Sequence, residues 1–277
     1  MTKLLACGGL VVAALASLGA SAATTPPLEV YAAGSLTGVM KPIIRQYTAA
    51  TGQAVTILHG PAGLLRERIE KGADADVYLS ANMAHPQRLA AAGRGTPAVV
   101  FARNSLCLTT RHDIGLTPAN VLDKLLQPSI RIGTSTPVAD PGGDYAWAWF
   151  AKAETVRPGA RKLLEAKARK MVGGSIPAAV PAKPPSGKEL LLLQEKVDVF
   201  FGYCSSRGTV PDSELVVVKL PAELQLPIDY GMTVLFHSAD PARQARADRF
   251  ALYLMSPAAQ RELVPFGFKP VTETATH

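Results

Sequence analysis

The sequence predicts an α/β protein of two Rossmann-like lobes joined by two crossing strands. Three observations carry that prediction. Short apolar strands alternate with amphipathic helices in two separate sets, the pattern of βαβ units. Strands in both sets run into Gly- or Ser-bearing turns ahead of helices. Two strand-like stretches, Val99 to Thr109 and Asp229 to Phe236, stand between the sets, where a chain would pass from one lobe to the other. The division that follows is lobe 1 over residues 27–103 plus 231–277 and lobe 2 over 104–230.

The elements follow in order. Leu28 to Ala32 is the first strand, and an Ala33-Gly34 turn follows it. Ser35 is placed as the N-cap of a helix, because Val39, Met40, Ile43, Ile44 and Tyr47 then recur on one face. Ala54 to Leu58 is a strand that ends in His59-Gly60-Pro61-Ala62-Gly63, with a helix from about Gly63. Ala75 to Leu79 is a third strand, followed by a helix over 83–93. Alternation of this kind predicts a parallel sheet with helices on both faces. Val99 to Thr109 is one long strand interrupted at Arg103-Asn104.

The second set opens with a helix over 117–126, Thr117 being its candidate cap. A strand from Arg131 to Thr134 follows, then a long turn from Ser135 to Gly143 and a helix opened by Asp144. A further helix covers Gly159 to Lys167. Ile176 to Ser186 is Pro- and Ala-rich and reads as an extended loop, with a helix from Gly187. Val197 to Cys204 and Leu215 to Leu220 are strands, and two helices close the chain. Asp74, Asp76 and Asp198 are expected to mark strand edges, and Arg66 and Arg68 to lie on a solvated helix face.

With 48% hydrophobic and 18% charged residues, the chain of 277 residues is globular and large enough to bury a sizeable core. Its net charge of +7 is modest and no dense Lys/Arg run is present, so nucleic-acid binding is not expected. Lys3, the apolar stretch Leu4 to Leu18 and Ala20-Ser21-Ala22 read as a signal peptide over 1–22, cleaved after Ala22. The expected destination is the periplasm. Loss of that segment removes Cys7 and leaves Cys107 and Cys204, in a compartment where disulfides persist. They are candidates for one bond; the alternative is two buried thiols packed as small apolar groups. Metal binding and catalysis find little support. The five histidines show no HExxH spacing, and neither a GxSxG elbow nor a phosphate loop is present.

What recurs is a turn placed before a helix, at Ser35, at Ala62-Gly63, at Gly142-Gly143 and at Ser186-Gly187. Free backbone N–H groups and partial positive charge at such turns can hold a small oxyanion without a cationic side chain. Tyr203, at a strand end in lobe 2, can add a hydroxyl donor.

Four motifs also carry a family resemblance: YAAGSLTGVM at Tyr31 to Met40, GLLRERIEKGADADVYLSAN at Gly63 to Asn82, DPGGDYAWA at Asp140 to Ala148, and VFFGYCSS at Val199 to Ser206. With the closing PAAQRELVPFGF, the mature chain resembles the periplasmic molybdate-binding proteins of ABC importers, which have the type II periplasmic binding protein fold. The resemblance implies a monomeric, non-enzymatic protein without a cofactor. It implies molybdate or tungstate as ligand and an ABC permease of the inner membrane as partner. Carried over position by position, Ser35 matches the family's first binding serine and Tyr203 its ligand tyrosine. Gly142, Gly143 and Ser186 match places where backbone amides serve. Ala62 stands where the family has a second binding serine, and the Pro-rich insertion before Ser186 is also a departure. Two alternatives follow: a binding protein of this fold for another solute, such as a small organic anion or a ferric complex, and a secreted enzyme using the cleft.

Overall fold

The structure is a computed structural model that describes residues 25–173, 197–205, 215–237 and 239–272. The expected signal peptide, the loop over 176–186, Ser186 itself and the helix from Gly187 lie outside the described residues.

The chain builds two five-stranded sheets. The first contains β1 (Leu28–Ala33), β2 (Val55–Gly60), β3 (Val77–Ser80), β4 (Val99–Asn104) and β10 (Ile228–Val234), in the order β2-β1-β3-β10-β4. The second contains β5 (Leu106–Arg111), β6 (Ile132–Ser135), β7 (Ala168–Val172), β8 (Val199–Tyr203) and β9 (Leu215–Lys219), in the order β7-β6-β8-β5-β9. Neither is the all-parallel sheet that the alternation predicts. β1, β2 and β3 run parallel, but β10 is antiparallel to both β3 and β4. In the second sheet β6 is parallel to β7 and β8, while β5 is antiparallel to β8 and β9. In the first sheet the reversed strand is the one by which the chain returns from the second sheet, and in the second it is the one by which the chain enters.

The helices are α1 (Thr37–Thr51), α2 (Ala62–Glu70), α3 (Ala84–Ala91), α4 (Val121–Leu126), α5 (Pro141–Val156), α6 (Ala160–Lys167), α7 (Pro241–Leu254) and α8 (Pro257–Leu263). α1 buries Val39, Met40, Ile43 and Tyr47, the face its periodicity predicts, and ends at Gly52 in the left-handed region. Tyr47 packs edge-on to Phe250 of α7. In lobe 2, Trp149 and Phe150 of α5 pack on Phe201 of β8. Thr117 takes the Asn120 N–H in a turn ahead of α4 rather than capping the helix directly. α5 starts at Pro141, three residues before the predicted opening.

The predicted long strand Val99 to Thr109 is two strands, β4 in the first sheet and β5 in the second, with Ser105 between them. The return stretch is not a strand shared by the sheets: β10 belongs to the first sheet, and the segment before it carries the chain back. The passages lie side by side, since Ile228 is opposite Asn104 in the ladder. Arg103 and Asp229 form an ion pair across them. Close by, Cys107 and Cys204 form a disulfide across β5 and the end of β8, with Cα atoms 4.9 Å apart.

Asp76 and Asp198 are not edge markers. Each is buried just before an inner strand, β3 or β8, and each accepts a backbone N–H from the neighbouring strand region, Glu29 or Arg131. Each is also paired with arginine: Asp76 with Arg243, and Asp198 with Arg131 and Arg111. The arginine hydrogen bonds hold the Asp198 carboxyl down at about 2. Arg66 likewise departs from the expected solvated face. It is only 3% exposed and forms an ion pair with Glu70 one turn along α2.

Candidate functional site

The carboxyl ends of β1, β2 and β3 and the turns that follow them face the turn after β6 and the end of β8. The lobes touch there directly. The Leu64 N–H donates to the Ala139 carbonyl at 3.3 Å, and the Tyr145 hydroxyl donates to the Ala81 carbonyl at 3.3 Å. Gly63 lies so close to the turn from lobe 2 that a Cβ there would fall 2.0 Å from the Val138 carbonyl oxygen and 2.8 Å from that of Ala139. Val138 itself has φ 70°, a conformation that a β-branched residue rarely adopts, and its N–H is held by the Asp144 carboxylate at 2.8 Å.

Ser35 does not cap α1. It sits in a 3-10 turn, Gly34–Leu36, that precedes the helix, and its Oγ lies 2.9 Å from the Tyr230 hydroxyl. Either hydroxyl can be the donor in that bond, and Asn104 is the third member of the network. Asn104 Oδ1 accepts the Ser105 N–H, so its Nδ2 supplies donors only. One goes to Ser205 Oγ at 2.9 Å and one to the Tyr230 oxygen at 3.2 Å. Tyr230 can then give its own proton to Ser35, and in that arrangement Ser35 keeps a hydroxyl proton to donate elsewhere. Burial raises the Tyr230 pKa, so this phenol stays protonated. Neither Asn104, at a strand end, nor Tyr230, in the core, carries a local sequence motif. Ser205 shares the end of β8 with Tyr203, two residues along.

Tyr203 ends β8 with its ring edge-on to Tyr230 at 5.7 Å between centroids and to Tyr145 at 6.3 Å. Its hydroxyl is buried and has no hydrogen-bond partner among the described residues. Burial drives its pKa well up, so it too is a protonated donor. Ala62 and Gly63 form the first turn of α2 behind Pro61, which supplies no side-chain cap. Their N–H groups make no hydrogen bond among the described residues. The Ala62 carbonyl is occupied by the Tyr78 hydroxyl at 2.6 Å, which fixes this helix start on the sheet.

The turn at Gly142 and Gly143 differs from expectation. The Gly142 N–H donates to Asp140 Oδ1 at 2.8 Å, and the Gly143 N–H to the Asp140 carbonyl at 2.9 Å. These amides are taken up within the turn by the Asp140 cap. Glycine is required at 143 for packing: a Cβ there would lie 2.4 Å from the Thr136–Pro137 backbone. The structure thus draws Ser35, Ala62, Gly63 and Tyr203 towards the junction of the lobes. It adds Asn104, Ser205 and Tyr230 behind them and places the Asp140 carboxylate at the start of α5. Among the described residues, no group of three or more His, Cys, Asp or Glu side chains could hold a metal ion.

Comparison with known proteins agrees with this architecture. A family model described as bacterial extracellular solute-binding protein matches residues 28–269. An uncharacterised protein of Pasteurella multocida is 34% identical over 254 residues, covering 89% of this chain and all of that one. The molybdate-binding protein ModA of Azotobacter vinelandii is 28% identical over 270 residues, covering 94% and 96%. The solved structure of the Azotobacter vinelandii periplasmic molybdate-binding protein superposes with a TM-score of 0.69 at 19% identity, covering 88% of this chain and 100% of that one. The sulfate-binding protein SubI of Mycobacterium tuberculosis gives 0.68 at 18% identity, covering 89% and 88%. At that identity the structural likeness concerns the fold, which is the two-lobed type II periplasmic binding protein fold. With a match that spans both sheets, the chain belongs to the bacterial extracellular solute-binding protein family.

Proposed function

We propose that this protein is an exported, non-enzymatic receptor that closes its two lobes on a small tetrahedral oxyanion and delivers it to an ABC permease. The observation that carries the reading is the buried Tyr203 hydroxyl, which has no hydrogen-bond partner among the described residues and lies across the Tyr230 ring from the Ser35 hydroxyl. With the open N–H groups of α2, these are donors without a cationic side chain. A buried donor left unpaired is costly, and an oxyanion would satisfy several at once. Ser35 is bonded to Tyr230 and not to a histidine or a carboxylate, which favours binding over nucleophilic catalysis. Molybdate and tungstate are the first ligands to test, given the relatives' names. Ala62 supplies an amide but no hydroxyl, one hydrogen bond fewer than the resemblance implies.

A thermal shift series on protein refolded free of ligand tests the reading, with molybdate, tungstate, sulfate, phosphate and small organic anions as probes. A ligand that binds only the folded state raises the melting temperature with its concentration. At least one tetrahedral oxyanion is expected to do so. A rise with small organic anions alone would put the fold to another solute class.

A further inference from the structure

A side chain of lobe 2 bridges the junction. Tyr145 stands near the start of α5, half-buried, and its hydroxyl donates to the Ala81 carbonyl just past the end of β3 in lobe 1, at 3.3 Å. Burial raises the Tyr145 pKa, so at neutral pH the phenol keeps the proton that this bond needs. The start of α5 leaves it little freedom. Asp140 caps the helix through the Gly142 N–H, and Asp144 holds the Val138 N–H. Gly143 lies against the Thr136–Pro137 backbone too closely to admit a Cβ. The Tyr145 ring packs edge-on to Tyr203, with centroids 6.3 Å apart and planes at 80°. Tyr203 in turn packs edge-on to Tyr230, whose hydroxyl meets that of Ser35. One end of Tyr145 therefore rests on a residue of the ligand site, and the other is bonded to the opposite lobe.

We propose that Tyr145 is an inter-lobe latch, a positioning residue that sets ligand affinity by holding the lobes together through the Ala81 carbonyl, without touching the ligand. The bond joins two protein groups, so it favours closure whichever anion fills the cleft. The Leu64–Ala139 bond is a second link between the lobes, but it joins backbone groups and no side-chain truncation removes it. A ligand that binds only the closed arrangement has an apparent affinity scaled by the fraction of molecules that are closed. Loss of one neutral hydrogen bond lowers the closed-to-open ratio by about fivefold. Every anion should then weaken by one common factor. A residue that contacts the ligand would instead discriminate among anions of different size and protonation. The effect on affinity rests on the oxyanion reading above; the effect on the shape of the free protein does not.

Tyr145→Phe keeps the ring against Tyr203 and removes the hydroxyl alone. Small-angle scattering of the refolded, ligand-free protein, with titration calorimetry against molybdate, sulfate and inorganic phosphate, tests the proposal. The free variant should unfold cooperatively and be more extended than the unmodified protein. Each anion that the unmodified protein binds should weaken by the same factor, about threefold to fivefold. In a Gly63→Val background, where a Cβ would meet the Val138 and Ala139 carbonyls and keep the lobes apart, Tyr145→Phe should cost nothing further. Identical scattering by the two free proteins overturns the latch, whether or not an anion binds. A loss confined to one anion, or one that persists at full size beside Gly63→Val, overturns it too, since either would make Tyr145 a ligand contact. If no anion binds the unmodified protein while the free proteins still differ in extension, the oxyanion reading fails and the latch stands.

Discussion

Gly63→Val should weaken ligand binding by about tenfold to a hundredfold while leaving both lobes folded. A Cβ at this position would fall 2.0 Å and 2.8 Å from two carbonyl oxygens, and both belong to the backbone of the other lobe. A flexible side chain could swing aside, but the Val138–Ala139 turn cannot easily do so. Its Val138 N–H is tied to Asp144, and the Ala139 carbonyl receives the Leu64 N–H. The relief available is for the lobes to stand apart. Overpacking of this kind costs about 1–3 kcal/mol, and each 1.4 kcal/mol taken from the closed state is about tenfold in apparent affinity. Small-angle scattering with and without ligand, beside a titration, reads both effects. The variant should keep its thermal unfolding cooperative and should fail to compact when ligand is added. Unchanged affinity would mean that the contact between α2 and the Val138 turn is not part of the bound state.

The second large effect concerns stability. Replacing both Cys107 and Cys204 by Ser should cost about 4 kcal/mol of unfolding free energy. The bond ties residues 97 apart in sequence, and in the chain-entropy account a loop of that size restrains the unfolded state strongly. The two sulfurs also join neighbouring strands beside the passages between the lobes, so their loss should be felt most in lobe 2. Urea unfolding of the oxidised protein, the reduced protein and the double variant measures it. The reduced protein and the variant should agree with each other and lie well below the oxidised form. A difference of less than about 1 kcal/mol would mean that the bond adds nothing the strands do not already supply.

The sequence made much of the fold legible because the fold rests on local patterns. The face of α1, the alternation of strands and helices, and the passage near Arg103-Asn104 all follow from periodicity and turn residues. What stayed hidden depends on partners far away in the chain. The antiparallel placement of β10 is a matter of topology, and β7, written Ala-Arg-Lys-Met-Val, carries no strand pattern of its own. Asp76 and Asp198 looked like edge residues because their arginine partners are distant in sequence; Arg243, for one, lies 167 residues from Asp76. The site divides in the same way. Ser35, Ala62, Gly63 and Tyr203 lie on turns and strand ends that sequence can place. Tyr230 is 195 residues from Ser35, and only folding makes it the group that orients the serine. The glycines at 142 and 143 were legible as a turn before a helix. That Asp140 would take up the Gly142 amide depends on a side-chain rotamer, which sequence does not show.

The central claim is that an oxyanion is held between Ser35, Tyr203 and the start of α2. Titration calorimetry of the refolded protein against the Ser35→Ala/Tyr203→Phe double variant tests it most directly. Both substitutions remove a hydroxyl and keep the surrounding packing, and each lost hydrogen bond to a charged ligand is worth about 1.5–3 kcal/mol. The account predicts one-to-one binding of at least one oxyanion by the unmodified protein, weakened about a hundredfold or more in a variant that melts as before. Equal binding by the two proteins would place the ligand elsewhere and contradict the account.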